Sequence, residues 1–516
     1  MPRTPLTQSP PQPPFRGARF GRACACAAAL LTLGLAAPAV TAATATAELE
    51  RRIAELNRQM QRQQQELERS KRELEQTRRA LDAARSASAS SAKAAKQAQA
   101  EAAEYKALAD DRGPAPEPKI QLGPVTVGGA MRVNYVLGSY KQYDPANGPN
   151  RGGNTGNVEL DTFRINLTLD YGDVIGALEY RWYTDAAQQF PASYSFLHTG
   201  WVGYRFDDDN HIEVGVNRVP FGPGPYGVAQ SYMFDMHYYL GLADDMDLGI
   251  KYVTRRGDWK LDLAYYAMSE GSYVGRSLDS TRYSFDAVRW TESVDEDGNV
   301  LYGGAHNGFD ERNQFNIRAI RLFEDVPVPT ELGVSLEYGQ LKGERVDDGD
   351  HWAASVHMVN HWNDFKLATQ LTRYEYDIDS DNPWRTDKLI PMGAFDFAWF
   401  AATKAWLPAV SLSYSHDVPE IAWLDKVVPY LEYSQVVKDE SAFNDSQMIA
   451  AGAQWYRGNW LVYTDLVYAN GNWFIGNEAD NGGTDNYSLV NGVGDWGANG
   501  NDRWNYRFTI NLGYYF

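Results

Sequence analysis

From Arg503 to Phe516 the chain alternates without a break. Trp504, Tyr506, Phe508, Ile510, Leu512, Tyr514 and Phe516 share one parity, and Arg503, Asn505, Arg507, Thr509, Asn511 and Gly513 share the other. A period of two predicts a β-strand with one apolar and one polar face. The same alternation recurs from about residue 120 onward. Met131, Val133, Tyr135 and Leu137 interleave with Arg132 and Asn134; Phe163, Ile165, Leu167 and Leu169 with Arg164, Asn166 and Thr168; Val174, Leu178, Tyr180 and Trp182 with Glu179 and Arg181. Further segments centre on Tyr204, Val214, Ile250, Leu263, Ile317, Leu336, Val356, Leu367, Leu412, Leu431, Ala451 and Val462.

The connections between these segments alternate in length. Compact ones fall at 172–173, 207–210, 255–258, 324–329, 362–364, 417–426 and 457–459; longer polar ones occupy 138–156, 183–198, 219–245, 269–311, 342–350, 379–405, 439–446 and 471–502. Ile390 to Ala402 also alternates, but counting it as a wall strand gives an odd total and puts two compact turns on opposite sides. Placing 379–405 in a loop leaves 16 strands, eight long loops and seven turns. The prediction is all-β: a 16-stranded antiparallel transmembrane β-barrel of the bacterial outer membrane, wide enough for an aqueous channel. A soluble β-sandwich is the competing fold, and aromatics on nearly every apolar face count against it.

Upstream the pattern changes period. Ile53, Met60, Leu67, Leu74 and Leu81 are seven apart, with Leu49 and Leu56 on a second seam, amid Gln, Glu, Arg and Lys. A sustained heptad predicts an α-helical coiled coil that needs partner helices, hence an oligomer; the barrel that follows favours a homotrimer. Gly113, Pro114, Pro116 and Pro118 then break the helix. Residues 1–45 have the form of a signal peptide: Arg3, Arg16, Arg19 and Arg22, an apolar run from Ala23 to Val40, then small residues. The expected layout is 1–45 signal peptide, 46–112 periplasmic coiled coil, 113–120 linker and 121–516 outer-membrane barrel.

Composition narrows the chemistry. The formal charge is −19, and losing the four arginines of the signal leaves −23, which disfavours nucleic acid as a partner. Both cysteines, Cys24 and Cys26, fall within the signal, so the remainder has no thiol for a disulfide or metal. No cofactor is expected. His357 and His361 are spaced to chelate only on a helix, and on a strand they stand ~13 Å apart. Ser411, Ser413 and His416 form a mixed polar set of the kind pore walls make by chance, and no phosphate loop or HExxH occurs, so an enzyme is not expected.

If the apolar parity faces lipid, the polar parity lines water. It carries Arg132, Arg164, Arg181, Arg205, Arg318 and Arg507 together with Asp170, Glu179, Asp262 and Glu432. The connection 219–245 is too long and too aromatic for a solvated tip. Folded inward, it would bring Asp235, Asp244 and Asp245 to narrow the pore with negative charge, since rings of charge set ion preference. The competing placement is outside, against a neighbouring subunit.

The signal, the heptads, the strand count, Arg218-Val219-Pro220-Phe221-Gly222 after the fifth strand, Asp445-Ser446-Gln447-Met448 and the aromatic terminal strand together resemble the phosphate-selective porin (OprO/OprP-type) family. The resemblance implies a trimeric outer-membrane porin, a passive channel for small hydrophilic solutes and ions, with phosphate selected by clustered Arg and Lys. In this chain no Arg or Lys follows Pro-Phe-Gly before Lys251, so any basic constriction must come from the wall. The alternative function is structural: a barrel anchor whose coil tethers the outer membrane to the cell wall.

Overall fold

The computed structural model describes residues 120–139, 156–183, 194–294 apart from 276 and 278, 300–472 apart from 385, 474–475 and 504–516. The expected signal peptide, coiled coil and most of the linker lie outside the described residues. The polar-apolar alternation folds into sixteen long strands: β1 (Val125–Gly138), β2 (Asn157–Tyr171), β3 (Val174–Tyr183), β4 (Tyr194–Asp207), β5 (Asn210–Arg218), β6 (Met246–Arg256), β7 (Trp259–Ser269), β8 (Gly308–Phe323), β9 (Thr330–Glu344), β10 (Gly349–Trp362), β11 (Phe365–Asp377), β12 (Lys404–Tyr414), β13 (Lys426–Lys438), β14 (Ser446–Arg457), β15 (Trp460–Asn470) and β16 (Trp504–Tyr515).

Each strand pairs antiparallel with its sequence neighbours, and β1 pairs with β16 from Ala130↔Tyr515 to Gly138↔Arg507, so the sheet closes on itself. Closure removes the edges that an open sheet would expose to lipid. Phe516 completes the seam: the Gly129 N–H donates to its carbonyl at 2.8 Å, and its own N–H donates to the Gly129 carbonyl at 3.0 Å. β1 begins before that seam ends, and the short strand Ile120–Leu122 folds back to pair with Val125–Val127.

The two faces are inverted relative to a soluble protein. Trp504, Tyr506, Leu512 and Tyr514 are exposed, whereas Arg507, Thr509 and Asn511 of the same strand are buried. The exposed positions bear Trp182, Tyr338, Trp352, Trp406, Tyr468 and Trp504 toward the long-loop end, and Tyr171, Phe206, Trp259, Trp362, Trp460 and Tyr514 toward the short-turn end. An apolar band between two aromatic girdles is what a hydrocarbon slab with two interfaces selects.

The alternation over Ile390–Ala402 is real β-structure, but not wall. Leu389–Ala394 and Phe397–Ala402 form a hairpin inside the loop before β12. The chain reverses at Phe395 and Asp396, both at positive φ (51° and 71°). The hairpin pairs with Asp286–Ala287 from the loop after β7, so two long loops share a small sheet. Its buried residues Ile390 and Met392 join Phe285, Tyr238 and Leu240 in an apolar cluster built largely from loops.

Candidate functional site

The connection between β5 and β6 lies inside the barrel. It is pinned along its length by side chains of the wall. The Gly222 N–H donates to Ser335 Oγ on β9 (3.1 Å), the Tyr232 N–H to Asp465 Oδ2 on β15 (2.8 Å), and the Met236 N–H to Ser434 Oγ on β13 (3.1 Å). The Gln230 and Ser231 N–H groups both donate to the Glu432 carboxylate on β13. Val228 packs on Val359, Ala368 and Ala409, and His237 Nε2 lies 2.9 Å from Thr372 Oγ1 on β11. Such contacts follow from the polar inner parity: a loop laid on it finds acceptors for otherwise orphaned N–H groups. Tyr232 reaches the far wall, where its hydroxyl donates to Asp161 Oδ1 on β2 at 2.9 Å.

Between this loop and the wall of β1–β4 and β14–β16 lies a cavity of ≈590 Å³. Arg132, Arg164, Arg181, Lys366 and Arg507 line it, against the carboxylates Asp161 and Asp244. Arg132 Nε is 2.8 Å from Asp161 Oδ2. Arg181 Nε and Arg164 Nη1 share Glu179 Oε1 at 2.5 and 3.2 Å. The guanidinium groups also lie near tyrosine rings, Arg132 against Tyr232 (5.5 Å), Arg164 against Tyr515 (5.4 Å) and Arg181 against Tyr283 (4.4 Å). Stacking on rings holds these long side chains without neutralising them.

Of the residues expected to act in the pore, Arg132, Arg164, Arg181 and Asp244 meet at this cavity. The others sit elsewhere. Arg205 stands at the short-turn end beside Asp170 and the Gly172 carbonyl. Arg318 is held by Asp262 at 2.5 Å, away from the cavity lining. Asp235 is turned into its own loop, accepting from the Val228 and His237 N–H groups at 3.1 and 2.8 Å. Asp245 is buried beside Asp247 and Asp286. Asp244 itself is bound by Arg218 at 2.7 Å and by the Tyr283 hydroxyl at 2.5 Å, so it faces the cavity already paired. The lining of this cavity is thus mainly basic wall side chains with a tyrosine-rich rim, and Asp244 is the loop carboxylate that reaches it. The tyrosines Tyr183, Tyr194, Tyr283, Tyr456 and Tyr463 of that rim, and Lys366, were not singled out from sequence. Only the inner parity of their strands marks them, and Tyr283 lies in a loop.

An apolar band outside, a polar interior and a loop folded into that interior define a porin-like channel of the bacterial outer membrane, through which solutes pass by passive diffusion. No protein-family model matches the chain, and no curated protein matches it in sequence. Among solved structures, OmpT of Vibrio cholerae aligns over 77% of this chain and 100% of its own at 12% identity, with a TM-score of 0.44. An anion-selective porin from Comamonas acidovorans aligns over 76% and 99% at 12% identity, TM-score 0.42. The outer-membrane channel DcaP of Acinetobacter baumannii aligns over 76% and 97% at 10% identity, TM-score 0.41. The channel reading stands on the barrel's own geometry.

Proposed function

We propose that this channel favours small anionic solutes, and that the wall arginines rather than the loop carboxylates set the preference. The observation that carries this is the cavity beside the inserted loop, where five basic side chains face two carboxylates. Asp244 is tied to Arg218, Asp161 to Arg132, and Glu179 is shared by Arg164 and Arg181, so basic groups still outnumber acidic ones at the cavity. In a narrow, low-dielectric-walled passage that excess raises the local concentration of anions. The chain as a whole is acidic, so the basic lining is local and does not follow from the overall charge. Phosphate is one candidate solute, because guanidinium groups match its oxygens bidentately. No catalytic step is assigned to the barrel: Ser411, one of the polar wall residues, donates its hydroxyl to Glu432, which holds the loop. The functional unit we propose is a homotrimer in outer-membrane lipid, with 1–45 as signal and 46–112 as a periplasmic coil: the heptads call for partner helices, and the resemblance to porins supplies the number three.

The test is single-channel current in a planar bilayer with a salt gradient. A reversal potential of anion sign, reduced current on adding phosphate, and conductance in steps of three support the reading. A cation-selective channel would overturn the anion assignment. Absence of conductance would overturn the channel and favour the coil-tether alternative.

A further inference from the structure

Away from the cavity, the barrel holds a buried set of carboxylates that the channel does not use. Asp245 ends the inserted loop, Asp247 follows on β6, Glu270 is the first residue after β7, Asp286 lies in the short strand of the next loop, and Glu311 is on β8. All five are at least nine-tenths buried. Oxygens of Asp245, Asp247 and Asp286 lie within 4.8 Å of one another. Each partner found for the set satisfies one oxygen. Gln314 Nε2 donates to Asp247 Oδ2 (3.2 Å), Arg282 Nη1 to Asp286 Oδ2 (2.8 Å), the Ser284 N–H to Glu270 Oε1 (2.9 Å) and the Ala287 N–H to Glu311 Oε1 (2.8 Å). The other oxygens of Asp247 and Glu270, and Asp245 Oδ1, have no hydrogen-bond donor.

Five carboxylates with one guanidinium cannot all be ionised in a dry site without a further positive charge. Burial and the neighbouring Asp247 and Asp286 push the Asp245 carboxyl well up from its ordinary range; burial and Asp286 do the same to Glu270. Either protons or a cation must supply the charge. The donor set is oxygen only, which suits a hard cation. A cage made wholly of protein carboxylates suits calcium, which accepts about six to eight oxygens in flexible geometry, whereas magnesium demands a stricter octahedron and keeps several waters.

From the unpartnered oxygens and the all-carboxylate donor set we infer that Asp245, Asp247 and Asp286, with Glu270 and Glu311 around them, form a calcium site that fastens the root of the inserted loop to the wall and to the loop after β7. The site lies at the long-loop end of the barrel. A bound ion there ties β6, β8 and the loop carrying Asp286 to the residue at which the inserted loop returns to the wall. This site is separate from the anion cavity and stands whether or not the channel prefers anions.

The experiment uses the full chain refolded free of lipopolysaccharide, because that lipid binds divalent cations itself, and stripped with EDTA. Terbium is titrated in, and its tyrosine-sensitised luminescence is read before and after calcium is added back. Saturation at one ion per chain, displacement by calcium but not by equal magnesium, and a calcium-dependent rise in the heat-unfolding midpoint are expected. The double variant D245N/D247N, which leaves the Arg282–Asp286 pair intact, should lose the ion and the calcium response. Without calcium it should unfold no earlier than the parent, since two like charges are gone. Where the double variant does not fold, D245N serves for the same comparison. No saturable terbium signal from the parent chain overturns the site and leaves the cluster neutralised by protons. Equal calcium uptake by parent and folded variant overturns it as well.

Discussion

Arg164 offers the cleanest probe of the basic lining. Replacing it with Gln removes a positive charge and strands no partner, because Glu179 keeps Arg181 Nε at 2.5 Å and Asn166 Nδ2 at 2.6 Å. The same change at Arg132 would weaken the pairing of Asp161 and confuse the outcome. For an ion passing about 6 Å from the guanidinium in water, the interaction is roughly 0.7 kcal/mol, and screening at 0.1 M salt cuts it to about 0.4 kcal/mol. That is a factor of about 2 against each anion and about 2 in favour of each cation, so the anion-to-cation permeability ratio should fall ~4-fold. At 1 M salt the Debye length drops to about 3 Å and the change should shrink to less than ~1.5-fold. The assay is the reversal potential of the R164Q channel beside the parent at both salt levels. An unchanged ratio at 0.1 M would refute the electrostatic role of this wall. A change of equal size at both salts would refute the Coulombic cause and point to altered pore shape.

Three further outcomes follow from the geometry. Gly241→Ala should loosen the inserted loop at a cost on the order of 1–3 kcal/mol, because the residue sits at φ +71° and an added Cβ would lie 2.4 Å from the Phe285 carbonyl oxygen; current noise and open-channel conductance should both rise. Gly129→Val should damage closure, since a Cβ there would lie 2.5 Å from the Arg164 carbonyl oxygen and 2.6 Å from the Phe516 ring. Loss of the compact, heat-resistant form on a denaturing gel is the readout. Asp425 latches two short turns by accepting from the Gly458 N–H (2.7 Å) and Arg457 Nη1 (2.6 Å), which hold its carboxyl below the usual range. A depressed carboxyl stabilises fully above its unfolded value of about 3.9 and loses that contribution as pH falls through the folded one. D425N should therefore lower the unfolding midpoint slightly at pH 7, by a surface-sized amount, and the gap should close toward pH 2.

Much of the wall was legible because lipid imposes one rule on every strand. Each outward residue must be apolar, so a period of two survives across unrelated segments such as Met131–Leu137 and Trp504–Tyr514. The hairpin Leu389–Ala402 obeys the same period for another reason, its burial among loops, which is why alternation alone makes it resemble a wall strand. The inward course of 219–245 could be read from its aromatics, since Tyr232, Phe234, Tyr238 and Tyr239 have no use for solvent. The state of its carboxylates could not. Asp235, Asp244 and Asp245 are near neighbours in sequence, yet one caps its own loop, one is paired with Arg218 and one joins acids from β6 and from more than one loop. Those fates depend on partners as distant in the chain as Asp286, and local spacing carries no record of them. The same holds for Lys366, which meets the arginines of β1–β3 only across the lumen.

The inserted loop is held mainly through its own backbone N–H groups, while the acceptors Ser335, Glu432, Ser434 and Asp465 belong to the wall. Backbone donors are common to every residue except proline. The instruction for where the loop runs is thus written in the barrel, and many of its side chains are left free to vary. Substitution at the exposed Pro225 and Tyr226, which line the cavity, can then retune what the passage admits while Val228 and Tyr232 and the backbone donors keep the loop on its path. Such a division lets one scaffold acquire new permeants by drift in a short stretch, with change at the wall acceptors held back because each one anchors the loop.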